Sequence, residues 1–200
     1  MIKKSLLVLI FIGMNLYAED KLDIKKIYLN SYNYEKMGLY DEAIKVLAPL
    51  YKKYPKGYTL NLRTGYLFLL SKHYSSALEY YKKASMIVPS SIEPRLAIAN
   101  INLILHNHDK VEQITYNILK IDYYNYYGSL YLVETLTLQK KYDIALAVVD
   151  RMLYLYPTDV IFLEKLAILY KKMNNKNLDE VYKSIEILDP NNIFVNTVNR

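Results

Sequence analysis

Cysteine and tryptophan are absent from the 200-residue chain, and glycine occurs only five times. Without cysteine, the chain can form no disulfide, offers no thiolate nucleophile or thiolate metal ligand, and has no cysteine to carry a lipid anchor. The few glycines form neither a GxGxxG pattern nor a P-loop, which are the glycine-rich loops that cradle phosphates. These absences argue against thiol-based and nucleotide-dependent activities.

No constellation of acids, histidines and hydroxyl groups is typical of a catalytic site, so we predict no enzymatic activity and no cofactor. The three histidines, His73, His106 and His108, fall in predicted turns, and Asp109 follows the last of them. A surface metal site is one interpretation of this group. The other is that polar residues are ordinary in turns, and turns of stacked helix pairs lie about 10 Å apart. We therefore predict no bound metal.

Tyrosine is abundant, with 23 copies, and hydrophobic residues make up 52% of the chain. A tyrosine ring can pack in a core while its hydroxyl stays in water, so tyrosine can replace phenylalanine and tryptophan here. The formal net charge of +6 would suit nucleic acid. However, the lysines are spread over many predicted helix faces and form no single patch, so we predict no nucleic-acid partner.

Residues 1–18 differ from the rest of the chain. Lys3 and Lys4 precede an apolar run at residues 5–16, and acidic residues follow Ala18. This layout is typical of a secretory signal peptide, and we predict cleavage after Ala18 and export to the periplasm. The run is short for a bilayer span, which needs about 20 residues. The alternative is an uncleaved segment that associates with the inner membrane and anchors the chain there.

Residues 58–91 hold the best-formed copy of a recurring pattern. It has small residues at Gly65, Ala77 and Ala84, and it ends at Pro89. Two helices can cross closely only where a side chain is small, and proline ends a helix because it lacks a backbone N–H. The aromatic positions between them are Phe68, Tyr74 and Tyr81.

The pattern repeats along the chain with one constant period. Pro55 precedes Pro89 by one period, and Pro157 follows it by two, with Tyr123 at the step between. The last step is one residue short and ends at Pro190. A period kept within one residue over five copies is strong support for a repeat protein.

This pattern resembles the tetratricopeptide repeat, a helix–turn–helix unit of about 34 residues with small residues at positions 8, 20 and 27 and a proline at position 32. The resemblance implies an all-α fold: a right-handed α-solenoid of about five repeats with a short C-terminal helical cap. Residues 19–200 would form this solenoid, with repeats at residues 24–57, 58–91, 92–125, 126–159 and 160–191. Two pairs of residues, Thr158-Asp159 and Asn191-Asn192, lie where the next helices would begin, and we predict that they cap them.

In this family the first helix of each repeat lines the concave face. Carried over position by position, the resemblance predicts six exposed partner-binding residues: Tyr32, Arg63, Tyr66, Asn100, Tyr131 and Glu134. The wider lining would include Lys25, Tyr28, Glu35, Leu69, Leu103, Tyr127, Lys165 and Lys172. Tyrosine and arginine are enriched at binding hot spots. For Tyr28 and Leu103, packing between repeats is the alternative interpretation.

The resemblance implies a non-enzymatic interaction module, or adaptor, that binds a peptide or protein segment in its concave groove. Two alternatives stay open at this point. One is a structural protein that associates with itself as a homo-oligomer, and the other is an envelope scaffold tethered to the membrane through an uncleaved N-terminus.

Overall fold

The structure, a computed structural model, describes residues 24–198. The predicted signal peptide therefore lies outside the described residues. Residues 24–198 form eleven helices and contain no strand. The first, α1, includes residues 24–36. The others are α2 Tyr40–Lys53, α3 Tyr58–Leu70, α4 Tyr74–Ile87, α5 Glu93–Ile104, α6 His108–Ile121, α7 Tyr126–Leu138, α8 Tyr142–Leu155, α9 Val160–Met173, α10 Leu178–Leu188 and α11 Ile193–Val198.

The helices follow one another as pairs joined by tight turns, which confirms the predicted all-α fold. In each pair the turn contains one residue with a positive φ angle, at Gly38, Lys72, His106, Lys140 and Asn174. Neighbouring members of this series are one full repeat period apart in every case. The left-handed conformation reverses the chain after a helix and lets the next one begin shortly afterwards.

The chain divides into two compact units, up to Pro94 and from Arg95 onwards. In the N-terminal unit, a buried cluster joins α2 to α3 through residues such as Leu47 and Leu67, with exposures of 1% and 0%. Tyr28 packs against this cluster, as its packing interpretation predicted. Burying a leucine side chain contributes about 1.5–3 kcal/mol, so this cluster is a main source of stability in the unit.

The small residues of the second repeat meet as predicted. A Cβ atom built on Gly65 would lie 3.2 Å from three atoms of the Tyr81 ring, so α3 and α4 are in close contact at this point. Ala77 and Ala84 are fully buried. The absence of bulk at these positions is therefore what allows α3 and α4 to pack.

In the C-terminal unit, one continuous buried cluster runs through α7, α8, α9 and α10. Phe162 and Met152 are fully buried within it, and Val195 of α11 joins it with 0% exposure. The short last helix therefore covers part of the final apolar face, as expected of the predicted C-terminal helical cap.

Polar side chains fix the start of three helices in this unit. The side chain of Asn125 accepts a hydrogen bond from the backbone N–H of Gly128, and that of Asp159 accepts one from Phe162, both at 2.9 Å. Asn192 accepts one from Val195 at 3.2 Å. Such caps satisfy backbone donors that a helix leaves unpaired in its first turn.

No helix in residues 24–198 combines the length and the apolar character that crossing a membrane requires.

Candidate functional site

The six predicted binding residues lie on the first helix of each pair. In the N-terminal unit, Tyr32 is on α1, and Arg63 and Tyr66 are on α3. In the C-terminal unit, the other three, Asn100, Tyr131 and Glu134, are on α5 and α7. Each unit therefore presents its own part of the predicted surface.

Arg63 is buried, with an exposure of only 7%, so the prediction that it would be exposed is wrong. One end of its guanidinium forms an ion pair with Glu35. The other end donates a hydrogen bond to the Ser31 hydroxyl at 3.1 Å. The guanidinium carbon lies 3.9 Å from the centre of the Tyr32 ring, within cation–π range. Arg63 thus connects α3 to α1, and Glu35 of the same chain neutralises its positive charge.

Two tyrosines remain accessible in this unit. Tyr32 is 47% exposed and Tyr66 is 41% exposed. Tyr28, one turn before Tyr32, is half-buried, and burial is the main cause that raises its pKa; Tyr32 raises it further and Arg63 lowers it. Of the three residues predicted to bind a partner in this unit, the two exposed ones are therefore aromatic.

Asn100 is half-buried on α5, and its side chain is less open than the prediction required. On α7, Tyr131 is also half-buried, and its ring centre lies 6.4 Å from that of Tyr127. Burial raises the pKa of Tyr131, with further contributions from Tyr127 and Glu134. Tyr127, which the wider lining included, is 56% exposed and is the more accessible of the two rings.

Glu134 faces Lys165 of the neighbouring helix α9, with its carboxylate oxygen 3.6 Å from the lysine Nζ. Both side chains are accessible, at 42% for Glu134 and 24% for Lys165. An accessible ion pair of this kind contributes less than about 1 kcal/mol. Glu134 and Lys165 can therefore exchange this ion pair for contacts with charged groups of a ligand at a small cost in free energy.

A pocket of about 360 Å³ opens between α7 and α9, and we call it the α7–α9 pocket. Its walls are formed by Glu134, Thr137, Leu138, Lys140, Tyr142, Lys165, Ile168 and Lys172. Three ammonium groups and one carboxylate surround it, and Leu138 contributes a 55% exposed apolar side chain. Such a pocket can hold an apolar side chain and pair with negative groups beside it.

The sequence prediction included Glu134, Lys165 and Lys172 but missed Leu138, Lys140 and Ile168 as lining residues. One signal was available: Leu138 and Lys172 are one full period apart, at the same position of consecutive repeats. Lys140 could not be found in this way, because it lies in the turn and reaches the pocket from there.

Of the predicted histidine group, His106, His108 and Asp109 line a separate, open pocket of about 390 Å³, and His73 does not. The rings of His106 and His108 are 5.9 Å apart, and Gln139 donates a hydrogen bond to the Asp109 carboxylate at 3.0 Å. Within residues 24–198, no three histidines or acids are grouped in a way that could hold a metal ion.

No protein-family model matches the sequence, and no curated protein is significantly similar to it. Solved structures, in contrast, are similar over most of the chain. A tetratricopeptide repeat protein from Parabacteroides merdae has a TM-score of 0.79 at 17% identity, covering 87% of this chain and 70% of that one.

Two further solved structures match nearly their whole length. YrrB, described as a TPR protein with an unusual peptide-binding site, has a TM-score of 0.72 at 11% identity and covers 93% of this chain and 96% of that chain. The MamA protein has a TM-score of 0.72 at 14% identity, covering 82% and 91%. This chain therefore has the tetratricopeptide repeat fold, which confirms the resemblance at the level of structure.

Proposed function

We propose that the chain is a protein–protein interaction module that binds a peptide or protein segment along the first helices of its pairs. The observation that carries the proposal is the α7–α9 pocket, where an exposed leucine lies among three lysines and a loosely held carboxylate. A concave site that combines apolar side chains with a few charged groups is typical of a binding pocket. The description of YrrB as a peptide-binding protein supports this proposal by analogy of fold.

The ligand segment would place one bulky apolar side chain against Leu138 and Ile168. Negative groups beside it would pair with Lys140 and Lys172, which have no ion pair within the described part of the chain. The exposed ring of Tyr127 lies on the same helix as Leu138 and would extend the contact by stacking. No catalytic step is assigned to this surface.

Site-specific photocrosslinking tests the proposal. A photoreactive amino acid replaces Leu138, and a matched control replaces Lys183, which is exposed on α10 outside the pocket. In cells of the native host, we expect one partner to be crosslinked from position 138 and not from position 183. Leu138→Asp, tested with the photoreactive group at Tyr127, should reduce the yield, because it places a charge against the apolar part of the ligand. Equal crosslinking from both positions would count against the pocket.

Self-association is the second candidate function. The last two helices, α10 and α11, each expose a large aliphatic side chain: Ile187 is 80% and Ile193 is 78% exposed. Another copy of the chain could cover them. In the crosslinking experiment, products containing only this chain would favour the structural role over the adaptor role.

Export to the periplasm is proposed from the sequence of residues 1–18 alone. The intact mass of the protein recovered from the host's envelope tests it. A mass corresponding to a chain that begins after Ala18 is expected. The full-length mass in the membrane fraction would favour the uncleaved anchor and the tethered scaffold.

A further inference from the structure

A second cavity in the C-terminal unit lies between α6 and α8, and we call it the α6–α8 cavity. It has a volume of about 400 Å³ and is lined by Tyr116, Leu119, Lys120, Tyr123, Leu132, Val148 and Arg151. Its floor is apolar, since Leu119, Leu132 and Val148 are at most 7% exposed. It shares no residue with the α7–α9 pocket.

Two positive charges line this cavity, from Lys120 and Arg151, and no acidic residue does. Arg151 donates a hydrogen bond to the Ser129 hydroxyl at 3.2 Å, and its guanidinium carbon lies 4.3 Å from the centre of the Tyr123 ring. Its Nε is buried and has no hydrogen-bond partner. Within residues 24–198, neither Arg151 nor Lys120 forms an ion pair.

The nearest acids along the chain are Asp150, directly before Arg151, and Asp122, and neither is part of the lining. Asp122 is engaged elsewhere. It accepts a hydrogen bond from the side chain of Asn125 at 3.0 Å. The two cations of the cavity therefore have no carboxylate among the lining residues and form no ion pair within residues 24–198.

The N-terminal unit contains a cavity at the equivalent place, two repeat periods earlier in the sequence. Tyr51, Pro55 and Lys83 line it, which correspond to Leu119, Tyr123 and Arg151. Here the cation is neutralised: Lys83 donates to Glu79 at 2.6 Å and to the Tyr51 hydroxyl at 2.9 Å.

One position explains why only one of the two cations is paired within the chain. Glu79 precedes Lys83 by four residues on α4, and the position four residues before Arg151 on α8 is Ala147. Residues four apart lie side by side on a helix, so a glutamate at 147 would face Arg151. The chain has an internal carboxylate for one cation and none for the other.

We propose that the α6–α8 cavity binds an acidic side chain of a partner protein, together with a bulky apolar side chain next to it. The planar guanidinium of Arg151 and the ammonium of Lys120 pair with the carboxylate, and the apolar floor accepts the neighbouring side chain. This surface goes beyond the proposed function, because it is separate from the α7–α9 pocket and does not depend on it.

The test uses two acetylated and amidated peptides as probes, one of alternating glutamate and leucine and one in which glutamine replaces each glutamate. Each is titrated into the isotope-labelled protein, and backbone amide shifts are followed. We expect the glutamate peptide to shift residues of α6 and α8 and to bind about tenfold more tightly than the glutamine peptide. Equal affinities, no binding, or shifts confined to α7 and α9 would overturn the proposal.

Ala147→Glu is the decisive variant, because it supplies the missing internal carboxylate and leaves every lining residue in place. Position 147 is exposed, so the side chain fits without repacking. We expect about tenfold weaker binding of the glutamate peptide, since Arg151 is then neutralised from within the chain. Unchanged binding by Ala147→Glu would contradict the proposal.

Two controls separate this effect from a general change of charge. Ala147→Gln has the same size without the charge, and Ser75→Glu adds the same charge at an exposed position of α4 in the other unit. Both should bind the glutamate peptide like the unmodified protein. A homodimer in solution that dissociates on Ala147→Glu would instead assign the cavity to a second copy, which would overturn the partner proposed here.

Discussion

At the scale of single residues, the five turn residues with positive φ angles carry a cost that depends on their side chains. Gly38 has a φ of 73° and no Cβ, while Lys72 has nearly the same conformation, with a φ of 61°, and does have one. The left-handed region costs a residue with a Cβ roughly 1 kcal/mol or more. The chain therefore bears this strain at four turns and avoids it at one.

Exchanging the side chains at these turns should change stability in opposite directions. Gly38→Ala should lower the free energy of unfolding by about 1 kcal/mol through backbone strain alone, because a Cβ there would have no atom within 4 Å. Lys72→Gly should raise it by up to about 1 kcal/mol, since the exposed lysine forms no hydrogen bond that would be lost.

Urea unfolding followed by circular dichroism measures both effects. Lys72→Ala is the matched control: it removes the same lysine but keeps a Cβ in the left-handed conformation, so little stabilisation is expected. If Lys72→Ala and Lys72→Gly stabilise equally, loss of the charge is responsible and the strain argument fails.

At the scale of the helices, the contact of α3 with α4 depends on one glycine and one ring. The Cβ of an alanine at position 65 would lie 3.2 Å from the Tyr81 ring, which is only 5% exposed and has little room to move. Overpacking a core destabilises the folded state by about 1–3 kcal/mol, and the higher helix propensity of alanine than of glycine offsets up to about 1 kcal/mol of this.

Gly65→Ala should therefore destabilise the protein by about 1 kcal/mol net. The result should reverse once the ring is removed. In a Tyr81→Leu background, the same Gly65→Ala substitution should be neutral or stabilising, because only the helix-propensity gain remains. A double-mutant cycle of urea unfolding energies measures this coupling, and additive effects of the two substitutions would disprove the steric argument.

The last helix pair departs from the regular period in a defined place. Its turn residue, Asn174, keeps the regular spacing, but α10 begins at Leu178, two residues later than the period would place it. The backbone N–H of Asn177 donates to the Asn175 side chain at 2.9 Å in this longer turn. Because α10 also ends one residue early, at Leu188, it has 11 residues where the earlier second helices have 14.

At the scale of the whole molecule, the many tyrosines make stability depend on alkaline pH. Burial is the main cause that raises the pKa of Tyr126 to about 12, and its hydrogen bond to Asp159 adds to the effect. Burial likewise raises the pKa of Tyr80, Tyr131 and Tyr182. In each case the folded state favours the neutral phenol over the phenolate.

This stabilisation is complete below the pKa of an unfolded tyrosine, about 10, and is lost as the pH rises through the folded value of about 12 for Tyr126. The urea midpoint should therefore fall steeply above about pH 10. Tyr126→Phe should make this fall less steep, because phenylalanine does not ionise. Tyr154→Phe, at an 85% exposed position, is the control and should leave the slope unchanged. The same slope in all three proteins would contradict the assignment to Tyr126.

The fold was predictable from the sequence because its determinants are local and periodic. Small residues such as Gly65 and Ala77, and the prolines that end helices, act through their own backbone or through the partner helix a few residues away. The caps at Asp159 and Asn192 were predicted for the same reason, since a cap acts within its own first turn.

The exposure of the candidate binding residues was predicted only in part, because the accessibility of a side chain depends on its neighbours. The resemblance predicted an exposed binding residue at Arg63, yet Glu35 and Ser31, 28 and 32 residues earlier, bind its guanidinium. Tyr32, whose ring contacts Arg63, and Tyr66 are nevertheless exposed, at 47% and 41%.

The sequence by itself determined that the chain forms paired helices with a constant period, because helix packing needs small residues and helix ends need breakers at regular places. Only the tertiary structure decided which charges are free to bind a partner. Arg63 forms an ion pair with Glu35, whereas Arg151 lines a cavity and forms no ion pair within residues 24–198. The physical reason is that a charge is neutralised by whatever the packing of helices brings within about 4 Å, and that distance is not a property of sequence spacing.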